Sequence, residues 1–124
     1  MLKQAALSVQ ILLSAVLTPA LAEDDERKIS FNNHCRTCHS FRPDDNRLGP
    51  SMFGIFGAQA GQAKGYAGYS GGLDGITWDE ATLDRFIADP SSVSTSTNMI
   101  FPPVANTAER RRIIGFLKTL RVPD

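Results

Sequence analysis

Cysteine is nearly absent from this chain: Cys35 and Cys38 are the only two among 124 residues. Two thiols cannot staple a mini-protein together, so the fold must rest on a buried core. Excess positive charge is missing as well. Lys plus Arg number 13 and Asp plus Glu number 13, which leaves no net basic field for holding a nucleic acid. The sequence has no internal repeats and no glycine-rich phosphate loop between a strand and a helix, and nothing in its pattern requires a strand. What remains is ordinary globular material, 42% hydrophobic and 21% charged, in a length that suits one domain.

The first 22 residues have the three regions of a secretory signal peptide. Lys3 is the only charge before Glu23, and an apolar run over residues 5–17 follows it. Thr18-Pro19-Ala20-Leu21-Ala22 then supplies the small-residue cleavage site, predicting a cut after Ala22. The apolar run is short for a spanning helix, which argues against a retained anchor. No cysteine stands near the cut to accept a lipid. Residues 1–22 hold Lys3 and no acid, so residues 23–124 carry 12 basic against 13 acidic side chains. The expectation is a single exported domain, not embedded in a membrane, that works in a bacterial periplasm.

In this domain a first helix is predicted over 23–33, with the four acids Glu23-Asp24-Asp25-Glu26 at the positive end of its dipole. Residues 40–75 show many glycines and little periodicity, and read as loops. Thr77 and Glu80 have capping-box spacing ahead of the apolar stripe Leu83, Phe86 and Ile87, and Asp89-Pro90 ends that second helix. Residues 91–97 are polar and uncharged. A last helix is predicted from Asn106, with Glu109 three residues on, to about Leu120, burying Ile113, Phe116, Leu117 and Leu120.

The chemistry sits in Cys35-Arg36-Thr37-Cys38-His39, the C-x-x-C-H attachment pattern for haem c. On a helical turn, positions i, i+3 and i+4 share a face. Both thiols can therefore add across the two vinyl groups of one haem while His39 reaches the iron from beneath. A thioredoxin-type dithiol would need a strand–helix setting that is not seen here. A zinc site would need a fourth ligand, and His34, next to Cys35, is badly placed to close a tetrahedron. His34 cannot cross to the other haem face and reads as a surface residue. For that face the mature chain offers Met52 and Met99. Met52 looks like an apolar contact. Met99 follows a polar loop far enough along the chain to wrap the opposite face, and is chosen as the ligand over an ordinary packing role.

With these residues in place, the sequence resembles the class I c-type cytochromes over nearly all of 24–121. Phe31, four residues before Cys35, matches the aromatic of the family's first helix. Leu48-Gly49-Pro50 matches the loop whose proline carbonyl accepts a hydrogen bond from the ligand histidine, here His39. Gly54-Ile55-Phe56-Gly57, Gly61-Gln62-Ala63-Lys64-Gly65-Tyr66 and Ile76-Thr77-Trp78 resemble the segments that follow, and from Trp78 to Lys118 the pattern runs without a gap. The resemblance implies an all-α cytochrome c fold, three main helices and loops wrapped around one covalently bound haem c. It implies His39 and Met99 as axial ligands, Trp78 and Tyr69 (Tyr66 being the alternative) as propionate donors, and one-electron transfer. Methionine opposite histidine raises the reduction potential. Met52, Phe53, Phe56, Phe86 and Phe101 are expected to keep the pocket dry.

The departures are specific. Phe86 replaces a tyrosine whose hydroxyl bonds the methionine sulfur in many relatives, and Ala58 replaces an arginine near a propionate. Arg27 stands where a glycine lets the terminal helices cross closely, and Gly115 could supply that approach from the other side. Relatives often ring the exposed haem edge with lysines. Here Ser91-Ser92-Val93-Ser94-Thr95-Ser96 carries no charge, so docking is expected to rest on apolar and neutral polar contacts. The functional expectation is a monomeric electron carrier, not an enzyme, shuttling between a donor and an acceptor redox complex. The competing reading is a haem protein with an open sixth position, for gas sensing or peroxidase-like activity.

Overall fold

Pro19 starts the first helix, α1 (Pro19–His34), in a computed structural model that describes Met1, residues 8–15 and residues 18–123. Proline at the first helical position loses no hydrogen bond and has its φ already set. The helix therefore begins before Glu23, where the sequence placed it, and the acidic run falls in its second turn rather than its first. Those acids pair along and between helices instead: Arg27 reaches Glu23 at 2.5 Å and Asp24 at 3.2 Å, and Arg112 lies 3.5 Å from Glu26. Lys3, part of the apolar run and Asp124 lie outside the described residues. Val9, Ile11, Leu12 and Leu13 are exposed and add nothing to the core.

The second helix, α2 (Glu80–Ala88), corrects the expected cap. Asp79, not Thr77, caps it, its carboxylate accepting from the Thr82 N–H at 2.8 Å. Thr77 instead pairs with Gln59 in an isolated antiparallel bridge. The bonds around that bridge run from the Gly57 N–H to Trp78 O and from the Trp78 N–H to Ala58 O, at 2.8 and 2.9 Å. This ladder fixes the backbone of Trp78. Pro90 ends α2 as expected and opens a single 3-10 turn, Pro90–Ser92.

α3 (Thr107–Thr119) matches its expected bounds, with Asn106 accepting from the Glu109 N–H at 3.0 Å. Ile113, Phe116, Leu117 and Leu120 are all buried, and Ile114 joins them. α1 and α3 pack against each other more extensively than any other pair of elements. Their contact is aromatic: Phe31, fully buried, lies 5.0 Å from Phe116, and Phe41 closes the trio at 5.6 and 6.0 Å. Burying a side chain of this size is worth about 1.5–3 kcal/mol. Arg27 lies over Gly115, where an added Cβ would come within 2.9 Å of its Nε, so the glycine on α3 does make room for the arginine on α1. α2 is tied to α3 by Arg110 to Asp84 at 2.8 Å and Lys118 to Glu80 at 2.5 Å. Among the described residues no helix is long and apolar enough to cross a membrane.

Candidate haem site

The α1 backbone does not simply stop at His34. Cys35 accepts from the N–H groups of both Cys38 (3.2 Å) and His39 (3.0 Å), so one further helical turn carries the C-x-x-C-H residues. Both thiols are free and half-buried, and both line a cavity of about 370 Å3. Burial pushes the Cys35 thiol up to about 12, with Cys38 beside it adding to the shift.

His39 is buried on the same wall, and its Nδ1 donates to Pro50 O at 2.8 Å. This bond fixes the ring and leaves Nε2 to face the cavity. Burial holds the imidazole below its usual pKa, outweighing the opposite influence of the Pro50 carbonyl, so the ring is neutral and has a lone pair to donate. Gly49 makes the approach possible: a Cβ there would fall inside contact distance of the His39 ring, 2.6 Å from Nδ1 and 2.9 Å from Nε2. The Gly49 N–H in turn donates to Cys38 O at 2.8 Å, clamping the 48–50 loop to the attachment turn.

The other walls come from far along the sequence. Met52 and Ile55 follow the proline loop, Leu83, Phe86 and Ile87 come from α2, and Ile113 and Leu117 from α3. The apolar stripe of α2 and part of that of α3 thus face the cavity. Met99, Ile100 and Phe101 form part of the lining, while Phe53 and Phe56 do not. Those two phenylalanines pack against the core from outside the cavity, and Phe56 carries Lys118 over its ring at 5.2 Å. The expectation that they seal the pocket is therefore corrected; Ile55 and Leu73 take that place.

Trp78, buried, meets Phe86 edge-on with ring centroids 4.9 Å apart, and both line the cavity. Tyr66 and Tyr69 also line it, edge to face at 4.8 Å, but their hydroxyls differ. Tyr66 donates its proton to Leu48 O at 2.8 Å. Tyr69 accepts from the Ala63 N–H at 3.0 Å, which leaves its own proton for another acceptor. His34 is only half exposed, at the cavity edge, with Nε2 3.4 Å from Glu109.

The uncharged 91–96 segment is not a free surface throughout. Ser94 is buried and donates to Gly71 O, while the Ser91 and Ser92 hydroxyls bond back to Asp89. The exposed apolar side chains that line the cavity are Leu48 and Ile100, at 78% and 96% exposure. Ser70 and Asn98 form a set of bonds that sequence reasoning missed, since partners 26 to 30 residues apart leave no local signal. Among the described residues no group of three His, Cys, Asp or Glu side chains is arranged to hold a metal ion, so the zinc reading lacks its donor set.

An apolar cavity with two thiols and a neutral imidazole on one wall, the thioethers of Met52 and Met99 in the lining and N–H and O–H donors at its edge fits a covalently attached haem, and with the helical shell defines a c-type cytochrome. Comparison with known proteins takes this further. No protein-family model matches the chain. It is 36% identical over 88 residues to cytochrome c2 iso-2 of Magnetospirillum molischianum, a match covering 70% of this chain and 91% of that one. It is 39% identical over 90 residues to cytochrome c2 of Rhodoblastus acidophilus, covering 70% and 83%. Among solved structures, cytochrome cH from Methylobacterium extorquens aligns with a TM-score of 0.70 at 37% identity, over 77% of this chain and 97% of the other. The chain belongs to the class I c-type cytochromes and has their fold. It is an electron carrier with covalently bound haem c that works with redox partners, and it is not an enzyme.

Proposed function

We propose that the protein is a periplasmic one-electron carrier with His–Met axial ligation, released from its leader by cleavage after Ala22. The observation that carries the ligation is the pairing of a buried His39, oriented by Pro50 O at 2.8 Å, with Met99 in the lining of the same cavity. Bound haem would supply the one-electron redox chemistry.

The chain does the rest. Cys35 and Cys38 would hold the macrocycle covalently. His39 presents Nε2, and the Pro50 carbonyl raises the ring's basicity by accepting from Nδ1. Met99 supplies a soft thioether sulfur, the ligand that favours a higher potential. Trp78 and Tyr69 offer an indole N–H and a phenolic O–H to the propionates. Met52, Phe86 and Phe101 exclude water. Leu48 and Ile100 present an uncharged apolar lip to the donor and acceptor complexes, which the carrier meets as a monomer.

Export is supported by the leader's composition and by the exposure of Val9, Ile11, Leu12 and Leu13, which leaves the core intact when they are removed. Cleavage after Ala22 would leave Glu23 to Glu26 at the start of α1, where acids suit the helix dipole.

The test is the absorption spectrum of protein matured in a periplasm, taken oxidised, reduced, and reduced under carbon monoxide. A low-spin spectrum with the weak red sulfur-to-iron band and no response to carbon monoxide is expected. A high-spin spectrum that shifts with carbon monoxide would replace the carrier reading with an open-iron sensor or peroxidase-like protein.

A further inference from the structure

Met99 sits on a segment with no regular secondary structure, between the 3-10 turn at Pro90–Ser92 and α3. A ligand on such a segment is only as firmly placed as the bonds that hold the segment down. Phe86, the aromatic that α2 contributes to the cavity, has no polar atom to offer the thioether.

The bonds that do hold the segment converge on the glycine-rich loop 68–72. The Ser70 hydroxyl is the centre: its Oγ donates to Ser96 O and accepts from the Asn98 N–H at 3.0 Å. One hydroxyl thus bridges both sides of Thr97. Asn98 adds a second tie, its Nδ2 donating to Gly68 O at 2.9 Å. Deeper in, the buried Ser94 donates to Gly71 O at 3.3 Å, and Thr97 Oγ1 accepts from the Met99 N–H at 3.1 Å. Ser70, Gly71, Thr97, Asn98 and Met99 all line the cavity, so the two loops meet in its wall.

We propose that Ser70, together with Asn98, is a positioning residue that latches the Met99 segment against the 68–72 loop and so sets how often the sixth position opens. The proposal rests on the His–Met reading above and goes beyond it. An added ligand can bind at that position only when the segment swings away, so its apparent affinity is its intrinsic affinity multiplied by the open fraction. Losing the Ser70 hydroxyl removes two hydrogen bonds that are both solvent-exposed, and exposed bonds belong at the weak end of the net range. The open fraction should therefore rise about fivefold.

The experiment titrates imidazole into the ferric holoprotein and follows loss of the red sulfur-to-iron band in the wild type, Ser70→Ala, Ser70→Thr and Asn98→Ala. Ser92→Ala serves as the control, since its hydroxyl bonds only within the Arg85 to Ser92 turn. The latch predicts about fivefold tighter imidazole binding in Ser70→Ala, a smaller gain in Asn98→Ala, and wild-type behaviour in Ser70→Thr, which keeps the hydroxyl. Ser70→Ala within about twofold of the wild type, or matched by Ser92→Ala, would overturn it. A wild type with no red band would overturn the ligation reading itself; a wild type that has the band while Ser70→Ala behaves identically overturns the latch alone.

Discussion

Gly49→Ala and Gly115→Ala form a matched pair on which the reasoning can be tested quantitatively. Both glycines leave space for another side chain, and at both an added Cβ would approach that side chain closer than 3.0 Å. The neighbours differ in what they can do. At Gly49 the methyl would meet three atoms of the His39 ring, whose Nδ1 is bonded to Pro50 O at 2.8 Å. A planar ring meeting the methyl along one edge has no free end to bend away. It must shift as a body, losing a hydrogen bond worth about 0.5–1.5 kcal/mol and forcing strain of the overpacking kind, about 1–3 kcal/mol. At Gly115 the methyl would meet Nε and Cδ of Arg27, the outer part of a flexible chain whose ion pairs with Glu23 and Asp24 are half exposed. Those pairs are worth about 0–1 kcal/mol, while replacing a helix-interior glycine by alanine gains about 1 kcal/mol. Gly49→Ala should therefore cost about 2–4 kcal/mol, with a changed low-spin spectrum, and Gly115→Ala should be neutral or slightly stabilising. Guanidinium unfolding of the holoproteins, followed by far-UV circular dichroism, measures both. A Gly49→Ala protein as stable as the wild type, with an unchanged spectrum, would refute the account of how His39 is held.

Other consequences follow from the same structure. Ile113→Ala empties a fully buried position that lies between α3 and the cavity, and should cost about 2–5 kcal/mol in the same unfolding assay. Asp79 is held below the usual carboxylate range first by the Thr82 backbone N–H, and Glu109 first by the Ser30 hydroxyl. A depressed folded-state pKa stabilises above the unfolded value and ceases to do so as pH falls through the folded one. The thermal midpoint should therefore drop on acidification below about pH 4. Asp79→Ala should lower the midpoint at neutral pH, and the gap to the wild type should narrow in acid. Because the cavity lip is apolar and the 91–96 segment uncharged, electron exchange with the redox partner should depend weakly on ionic strength in stopped-flow measurements. A steep fall in rate with added salt would show that charged steering dominates.

The sequence by itself determined the local features, because their causes are local. The C-x-x-C-H spacing fixes two thiols and an imidazole on one helical turn, and the structure shows that turn as a continuation of α1. The stripe Ile113, Phe116, Leu117 and Leu120 identified the buried face of α3, and Asn106 its cap. The local signals failed where two were in competition. Thr77 and Asp79 both precede α2 at capping distance, and the bridge to Gln59 draws Thr77 into the ladder, leaving the cap to Asp79. Pro19 likewise opens α1 four residues before the acidic run predicted to start it.

Only the tertiary structure decided which side chains share the cavity and which tyrosine keeps a free proton. Phe53 and Phe56 are as apolar as Phe86 and Phe101, and no periodicity distinguishes them, yet only the latter two line the cavity. Tyr66 and Tyr69 became distinguishable once Leu48 O was seen to take one hydroxyl proton while the Ala63 N–H occupies the other oxygen. The ties from Ser70 and Asn98 across 26 to 30 residues belong to the same group. Backbone carbonyls and N–H groups are common to every residue, so bonds made to them at long range leave no trace in the order of side chains, and only the folded chain reveals them.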